Sequence, residues 1–198
     1  MSLKFFNRWS TEGVMGKDIG LKPYLTLDPK IVPKTGARYA GNKFHKSYTF
    51  IVERLATKLM NSGHKAKKHF MSSGHNTGKK SNALKIVEHA LAKAETKLKK
   101  NPLAILVEGV ENAAPREEVI AIEYGGARYP KAVDVAPQRR IDLALRAMTQ
   151  GAYAKCFNKK MKIEDALAEE IIAAAQCSAK SNAVTKKRDL ERQASSSK

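Results

Sequence analysis

The run from Gly74 to Ser81, GHNTGKKS, is the part of this chain that most resembles a reactive motif. Glycine-rich loops that end in lysine and a hydroxyl residue bind phosphate through backbone amides and the lysine ammonium. That motif needs four residues between its glycines and a serine or threonine directly after the lysine. Here three residues intervene, and Lys80 follows Lys79. The pattern therefore favours a flexible basic loop, whose glycines let backbone amides approach a phosphate, over a nucleotide site.

The other reactive side chains form no catalytic or metal-binding pattern. The histidines have no metal-ligand spacing with the two cysteines, and Cys156 and Cys177 are too isolated for a disulfide framework. The carboxylate pairs Glu117-Glu118 and Glu169-Glu170 are adjacent in sequence, so their side chains point apart on a helix or strand. We predict no catalytic residue, no metal and no cofactor, and we expect that the protein is not an enzyme.

Four arginines have a spacing suited to binding anions. Arg139 and Arg140 follow Pro137 at the start of an expected helix, and Arg146 lies two turns after Arg139. Arg116 precedes an expected strand. Because the guanidinium fork matches a phosphate bidentately, these residues are candidates for fixed phosphate contacts.

Ion pairing within the protein is the alternative for the same arginines. Glu117, Glu118 and Asp142 are close in sequence. Asp142 precedes Arg146 by four residues, a spacing at which helical side chains touch, so this pair is expected to form.

The charge balance favours a polyanionic partner. Formal net charge is +18 over 198 residues, and Glu53 is the single acid between Lys30 and Lys80. Nucleic acid relieves such self-repulsion, and an anionic membrane surface is the second choice. No apolar stretch approaches the roughly 20 residues of a membrane span, and the first residues lack the apolar region of a signal peptide. We expect no membrane association and a cytoplasmic location.

A hairpin and six helices must position these side chains. Strand-like runs at Val119–Tyr124 and Arg128–Val135 flank Gly125-Gly126, which predicts a β-hairpin over about residues 118–135. Apolar periodicity predicts helices, with Asn101-Pro102 opening the third and Gly151 ending the fourth. The helices span about Ile51–Asn61, Asn82–Lys99, Leu103–Glu111, Pro137–Gln150, Ile163–Gln176 and Ala183–Ala194.

The predicted fold class is therefore mostly α. We expect a compact bundle of about six helices, with one protruding β-hairpin between the third and fourth helices. Residues 1–50 form a basic N-terminal extension, and residues 51–198 form a single helical domain. In the extension, basic residues alternate with Tyr39, Phe44 and Tyr48. Such a segment can be disordered alone and become ordered on RNA, where rings stack and cations meet phosphates.

Several strings of the sequence resemble the small-ribosomal-subunit protein seven family, in its archaeal or eukaryotic form. They occur in the family's order and cover nearly the whole chain. The strings are Trp9-Ser-Thr-Glu-Gly-Val14, Asn76-Thr-Gly-Lys-Lys80, Glu111-Asn-Ala-Ala-Pro-Arg-Glu-Glu118, Tyr124-Gly-Gly126, Ala132-Val-Asp-Val135 and Pro137-Gln-Arg-Arg140.

The resemblance implies a structural component of the small ribosomal subunit. It implies a primary binder of ribosomal RNA that nucleates folding of the 3′ major domain in the subunit head. The hairpin is then expected at the subunit interface, near the decoding centre and the path of messenger RNA and exit-site transfer RNA. Neighbouring head and platform proteins are the expected protein partners, on the cytoplasmic ribosome.

The family builds its RNA surface from the basic extension, the hairpin base and the start of the fourth helix. One departure is Ala136, where the family commonly has serine; its loss of an N-cap hydrogen bond costs about 1 kcal/mol. Arg146 is added to the RNA-binding candidates because of its position two turns after Arg139. The full set is Lys34, Arg38, Lys43, Lys46, Lys79, Lys80, Arg116, Arg128, Lys131, Arg139, Arg140 and Arg146.

Two other classes of protein remain open at this point. An architectural DNA-binding protein would share the positive charge and prefer duplex DNA. An RNA-modifying enzyme would need a cofactor pocket, and the sequence has neither a Rossmann glycine pattern nor a metal-binding cluster.

Overall fold

The computed structural model describes residues 3–63 and 79–198. The basic segment 64–78, which includes most of the phosphate-loop-like run, lies outside the described residues. Two short 3-10 turns occupy Lys22–Tyr24 and His45–Tyr48. The longer elements are α1 (Ile51–Leu59), α2 (Lys80–Leu98), α3 (Pro102–Ala113), β1 (Glu117–Tyr124), β2 (Ala127–Asp134), α4 (Pro137–Cys156), α5 (Ile163–Ala175) and α6 (Asn182–Ser195).

These elements confirm the predicted fold class, a mostly helical bundle with one hairpin between α3 and α4. Helix α5 lies at the centre and packs against α2, α3 and α4. Its buried residues, among them Leu167 and Ile171, recur at helical spacing and face the common core. None of the helices in residues 3–63 and 79–198 has both the length and the apolar run that crossing a membrane requires.

The prediction that Gly151 ends the fourth helix is wrong. Helix α4 continues through Gly151 to Cys156. Gly151 is buried, and a Cβ atom there would lie 2.7 Å from Cβ of Asn182 and 3.1 Å from Cδ of Glu170. The glycine is therefore needed for the close approach of α4 to α5 and the start of α6, and its conformation is ordinary helix.

The helix starts agree with the sequence. The Asn101 side chain accepts a hydrogen bond from the Leu103 amide at 3.0 Å, and Pro102 is the first residue of α3. Helix α4 begins at Pro137 after Ala136, which supplies no side-chain cap. The departure noted at Ala136 is thus a real loss of one capping hydrogen bond.

The hairpin projects from the bundle. Its strands pair from Glu117 with Asp134 to Tyr124 with Ala127, and Gly125 and Gly126 have φ values of +58° and +80°. Two consecutive positive φ angles are typical of the type I′ turn that closes a two-residue hairpin. The base of the hairpin packs against α6, whereas residues 120–131 are exposed.

Five apolar residues of the N-terminal segment lie in the same core as the helices: Phe5, Trp9, Leu21, Leu25 and Phe50. The Trp9 indole also donates a hydrogen bond to the Glu95 carboxylate of α2 at 2.8 Å. The division of the chain at residue 50 stays a prediction, but this segment supplies part of the bundle's interior.

The close approach at Gly151 gives a test of the packing. Gly→Ala inside a helix usually stabilises a protein by up to about 1 kcal/mol. We expect Gly151→Ala to do the opposite and lower the free energy of unfolding by about 1–3 kcal/mol, because the added methyl overpacks the contact with Asn182. Urea denaturation followed by circular dichroism measures the change.

The matched control is Gly41→Ala, because no atom of residues 3–63 or 79–198 lies within 4 Å of a Cβ added there. This control should change stability by less than about 0.5 kcal/mol. A stabilising effect of Gly151→Ala would contradict the close approach of the helices.

Candidate nucleic-acid interface

A groove of about 820 Å³ lies between α1, α4, the base of the hairpin and α6. Among the described residues that line it, Glu118 is the single carboxylate. We call this surface the α4 groove. Its cationic side chains are Lys58, Arg139, Arg146, Lys186 and Lys187. Five cations facing one carboxylate repel one another, and an anionic ligand would relieve that repulsion.

Glu118 pairs with Arg139 across the groove. The Arg139 guanidinium donates hydrogen bonds of 2.8 and 2.9 Å to the two carboxylate oxygens. This hydrogen bonding with Glu118 raises the pKa of Arg139. The alternative of ion pairing within the protein thus holds for Arg139, although its side chain is still 57% exposed.

Arg146 and Lys186 carry unbalanced charge in the same groove. Both residues are exposed, and neither side chain forms an ion pair with any other described residue. Arg146 lies two turns after Arg139, as the helical spacing predicted, and both side chains line the groove. Among the described cations of the α4 groove, these two are therefore the most available to an anion.

A second concavity, of about 630 Å³, lies on the N-terminal segment. No acidic residue in the described part of the chain lines it. We call it the arc surface. It is lined by Lys30, Lys34, Arg38, Tyr39, His45 and Tyr48, together with Thr35, Gly36 and Thr49.

Exposed rings accompany the cations of the arc surface. Tyr48 is 71% exposed and meets the His45 ring edge-on, with centroids 5.6 Å apart. Phe44, beside them in the chain, is 70% exposed. Exposed rings among cations are typical of surfaces that stack unpaired bases while binding the backbone.

Asp142 of α4 joins the chain segment that carries the arc surface to α1 and to Lys58 of the α4 groove. Its carboxylate accepts a hydrogen bond from Lys46 and lies 3.4 Å from Nη2 of Arg54 and 3.8 Å from Nζ of Lys58. Burial acts to raise the pKa of Asp142, but the Lys46 hydrogen bond and the three positive charges outweigh it and leave the pKa below its ordinary value. One anion thus holds the N-terminal segment, α1 and α4 together.

The expected pair between Asp142 and Arg146 is wrong. Among the described residues, the ion pairs of Asp142 are with Lys46, Arg54 and Lys58. Cations from α1 and the N-terminal segment occupy the carboxylate, so the local four-residue spacing does not decide its partner. Arg146 is left facing the α4 groove.

Glu53, the single acid between Lys30 and Lys80, is completely buried in α1. Its Oε1 atom accepts hydrogen bonds of 2.8 Å from both the amide and the hydroxyl of Thr35, and another from the Lys80 ammonium. Lys80 is therefore turned inward, with a side chain only 18% exposed, whereas Lys79 is exposed. Glu53 ties the arc surface to the start of α2.

Arg140 also points inward. It donates a 2.8 Å hydrogen bond to Asp18 and a 3.1 Å hydrogen bond to the Pro115 carbonyl, and its side chain is 11% exposed. These contacts join the N-terminal segment to the loop before the hairpin. Its assignment as an RNA contact stays a prediction, and the geometry favours a structural role.

The remaining candidates are dispersed. Lys34 and Arg38 line the arc surface, and Lys43 is exposed next to it. Arg116 is exposed just before β1. Arg128 and Lys131 are on the exposed part of the hairpin, and the pairing register puts their side chains on opposite faces.

Three cations of the α4 groove are not among the residues predicted from the sequence: Lys58, Lys186 and Lys187. The crowding of basic residues on α6 is visible in the sequence. The contribution of these lysines to the groove is not visible there, because only the packing of α6 against α4 turns that face towards Arg146.

Asp142 should make the free energy of unfolding depend on pH in the acidic range. Its folded-state pKa is below the ordinary value of 3.8, so its contribution is present above that value and is lost as the pH falls through the folded-state pKa. We expect Asp142→Asn to lower the free energy of unfolding at pH 7 by roughly 2–3 kcal/mol, since charge-assisted hydrogen bonds are lost. Urea denaturation between pH 2 and pH 7 measures both effects.

The variant's own stability should fall less steeply below pH 4 than that of the unaltered protein. Asp28→Asn is the control, because Asp28 is exposed and forms no ion pair with the rest of the described chain. Equal acid sensitivity of all three proteins would contradict the role of Asp142.

Lys80 and Lys79 form a natural pair of test and control. Lys80→Met leaves the buried Glu53 carboxylate without its cation and should cost about 3 kcal/mol of stability. Lys79→Met, at the exposed neighbour, should change stability by less than about 0.5 kcal/mol. Thermal and urea unfolding measure both, and equal effects at the two positions would show that the Glu53 pair is not needed.

Comparison with known proteins agrees with the predicted resemblance. A model of the family described as ribosomal protein S7p/S5e matches residues 22–198. The chain is 50% identical to small ribosomal subunit protein uS7 of Nanoarchaeum equitans over 198 residues, which cover 100% of both chains. It is 43% identical to the uS7 proteins of Methanothrix thermoacetophila, covering 96% of this chain and 97% of that one, and of Archaeoglobus fulgidus, covering 99% and 95%. The chain therefore belongs to the ribosomal protein S7p/S5e family and is a structural, non-enzymatic protein of the cytoplasmic ribosome.

Proposed function

We propose that this protein is a primary binder of small-subunit ribosomal RNA that nucleates folding of the 3′ major domain in the subunit head. The observation that supports this most is the pair of cationic concavities, the arc surface and the α4 groove, on chain segments that Asp142 ties together. Its carboxylate binds Lys46, next in the chain to His45 of the arc surface, and Lys58 of the α4 groove. The three relatives are small ribosomal subunit proteins uS7, which supports the same assignment.

The chemistry of this face fits folded RNA better than duplex DNA. Exposed Phe44 and Tyr48 can stack on bases that a multi-helix junction leaves unpaired, and a regular duplex presents no such bases. The cations then bind phosphates and position the protein, with little reading of base identity. We expect many phosphate contacts and few base-specific ones.

The candidate residues divide into two roles under this proposal. Lys46, Lys80 and Arg140 are bound to protein carboxylates and position the surface. Arg128 and Arg139 are paired but exposed, and they contact phosphate beside their carboxylates. The direct phosphate ligands are Lys34, Arg38, Lys43, Lys79, Arg116, Lys131 and Arg146, to which the groove adds Lys186 and Lys187. Lys58 of the groove is paired with Asp142, as Lys46 is, and positions the surface.

The hairpin serves a different part of the proposed function. Its tip carries exposed Ile120, Ile122, Tyr124 and Tyr129, and the register puts all four on one face. A projecting arm with an apolar face suits contact with transfer RNA, messenger RNA and neighbouring head and platform proteins. We place it at the subunit interface near the decoding centre and the exit-site transfer RNA.

Hydroxyl-radical footprinting on the small-subunit ribosomal RNA, with an equal mass of duplex DNA as competitor, tests the proposal. We expect protection confined to a multi-helix junction of the 3′ major domain and unaffected by the DNA. Diffuse protection that DNA abolishes would favour an architectural DNA-binding protein instead.

The same assay tests the α4 groove. Arg146→Gln combined with Lys186→Gln should weaken RNA binding roughly tenfold or more, because each lost charge-assisted contact contributes about 1 kcal/mol. Lys159→Gln combined with Lys160→Gln removes the same charge from exposed lysines outside the groove. Equal affinities of the two double variants would remove the groove from the RNA surface.

A further inference from the structure

A third cationic concavity, of about 580 Å³, lies at the C-terminal end of α2. Four cations line it: Lys4 and Arg8 from the N-terminal segment, and Lys99 and Lys100 from the end of the helix. None of the four lines the arc surface or the α4 groove, and none is among the residues that the sequence assigned to RNA. We call this feature the α2-end concavity.

A fixed turn presents the two N-terminal cations. The amide of Phe5 donates to the Trp9 carbonyl at 3.0 Å, and the amide of Trp9 donates to the Phe5 carbonyl at 3.3 Å. Both rings are buried, and between them Phe6 and Asn7 have φ values of +50° and +56°. Two consecutive left-handed residues without glycine are unfavourable, so the turn is held in place by its anchors.

The positive charges of the α2-end concavity are not neutralised by the carboxylates of the described residues. Glu95 is the single carboxylate among the described lining residues, and it accepts the 2.8 Å hydrogen bond from the Trp9 indole. Arg8 lies 3.7 Å from Glu88, while its side chain is still 57% exposed. Within the described part of the chain, Lys4, Lys99 and Lys100 form no ion pair, and all three are exposed.

Complementing the helix dipole does not explain this arrangement. Lysines near the last turn of a helix stabilise its carbonyl end, which accounts for Lys99 and Lys100. The helix dipole does not explain why a strained turn of the N-terminal segment also brings Lys4 and Arg8 to the end of α2. Cations from two chain segments repel one another when they are brought together, and a bound anionic ligand would relieve that repulsion.

The α2-end concavity is also remote from the first RNA surface. Helix α2 is 19 residues long, so its ends are separated by about 28 Å. Its start is fixed to the arc surface through Lys80, Glu53 and Thr35. An anion bound near Lys99 is therefore not held by the arc surface or by the cations that surround Asp142.

We propose that the α2-end concavity binds a second stretch of phosphodiester backbone in ribosomal RNA, separate from the stretch held by the arc surface and the α4 groove. This inference rests on the proposed function. The protein then bridges two RNA segments, and α2 is the spacer between them. An acidic segment of a neighbouring protein is the other class of anionic partner, and the test separates it from RNA.

The test uses the full chain and a triple variant, Lys4→Gln, Lys99→Gln and Lys100→Gln. Glutamine keeps the side-chain stem and removes the charge. The control variant, Lys159→Gln, Lys160→Gln and Lys162→Gln, loses the same charge at exposed positions between α4 and α5. Circular dichroism and urea unfolding check that both variants keep the fold.

Binding and hydroxyl-radical footprinting use RNA of the 3′ major domain over a range of salt concentrations. We expect the triple variant to bind at least about tenfold more weakly than the control, with a salt slope shallower by about 1 for each lysine. It should lose one patch of protected nucleotides and keep the patch that Arg146→Gln with Lys186→Gln removes.

Two negative results are distinguishable. If the unaltered protein protects the RNA specifically and the triple variant gives the same affinity and footprint as the control, the α2-end concavity does not bind RNA, and an acidic protein segment is its remaining partner. If the unaltered protein gives no specific protection, the proposed function fails and this inference fails with it.

Discussion

Repulsion between closely spaced cations is the constraint on which the rest of this structure depends. A chain with a net charge of +18 gathers lysines and arginines at three concavities, and such crowding opposes a compact fold. Two carboxylates offset part of it. Asp142 binds three cations from two other segments, and Glu53 binds Lys80 and fixes Thr35 of the arc surface.

The internal carboxylates also give the basic residues different roles. Lys46, Lys80 and Arg140 are each bound to an acid and hold segments together. Arg146 and Lys186 stay exposed in the α4 groove with unbalanced charge. A basic residue that pairs with a protein carboxylate thus positions segments of the chain. A basic residue without such a pair is available to bind an anion. This division explains how one bundle can join its segments through ion pairs and still present a strong positive field.

Apolar anchoring sets the position of the N-terminal segment, whose regular elements within residues 3–50 are two short 3-10 turns. Phe5, Trp9, Leu21 and Leu25 are buried against the helices, so the cations between and after them are held near fixed places. The same anchoring creates the turn at Phe6 and Asn7 that carries Lys4 and Arg8 to the end of α2. Hydrophobic burial therefore decides where the charge of this segment is displayed.

The sequence by itself determined the elements of this protein and its family. Apolar periodicity, the Asn101-Pro102 start and the Gly125-Gly126 turn are local signals, and local backbone preferences decide helices and hairpins. The sequence strings also predicted the family, because their identity and order along the chain do not depend on the tertiary structure.

Tertiary structure alone decided the partners of the charges. The residues that contact Asp142 and Gly151 are distant from them in the sequence. Local sequence rules therefore do not predict these contacts. For that reason the expected Asp142–Arg146 pair and the expected helix end at Gly151 were wrong, and the groove cations Lys58, Lys186 and Lys187 were missed. Coulomb interactions depend on distance in space, which only the packed fold sets.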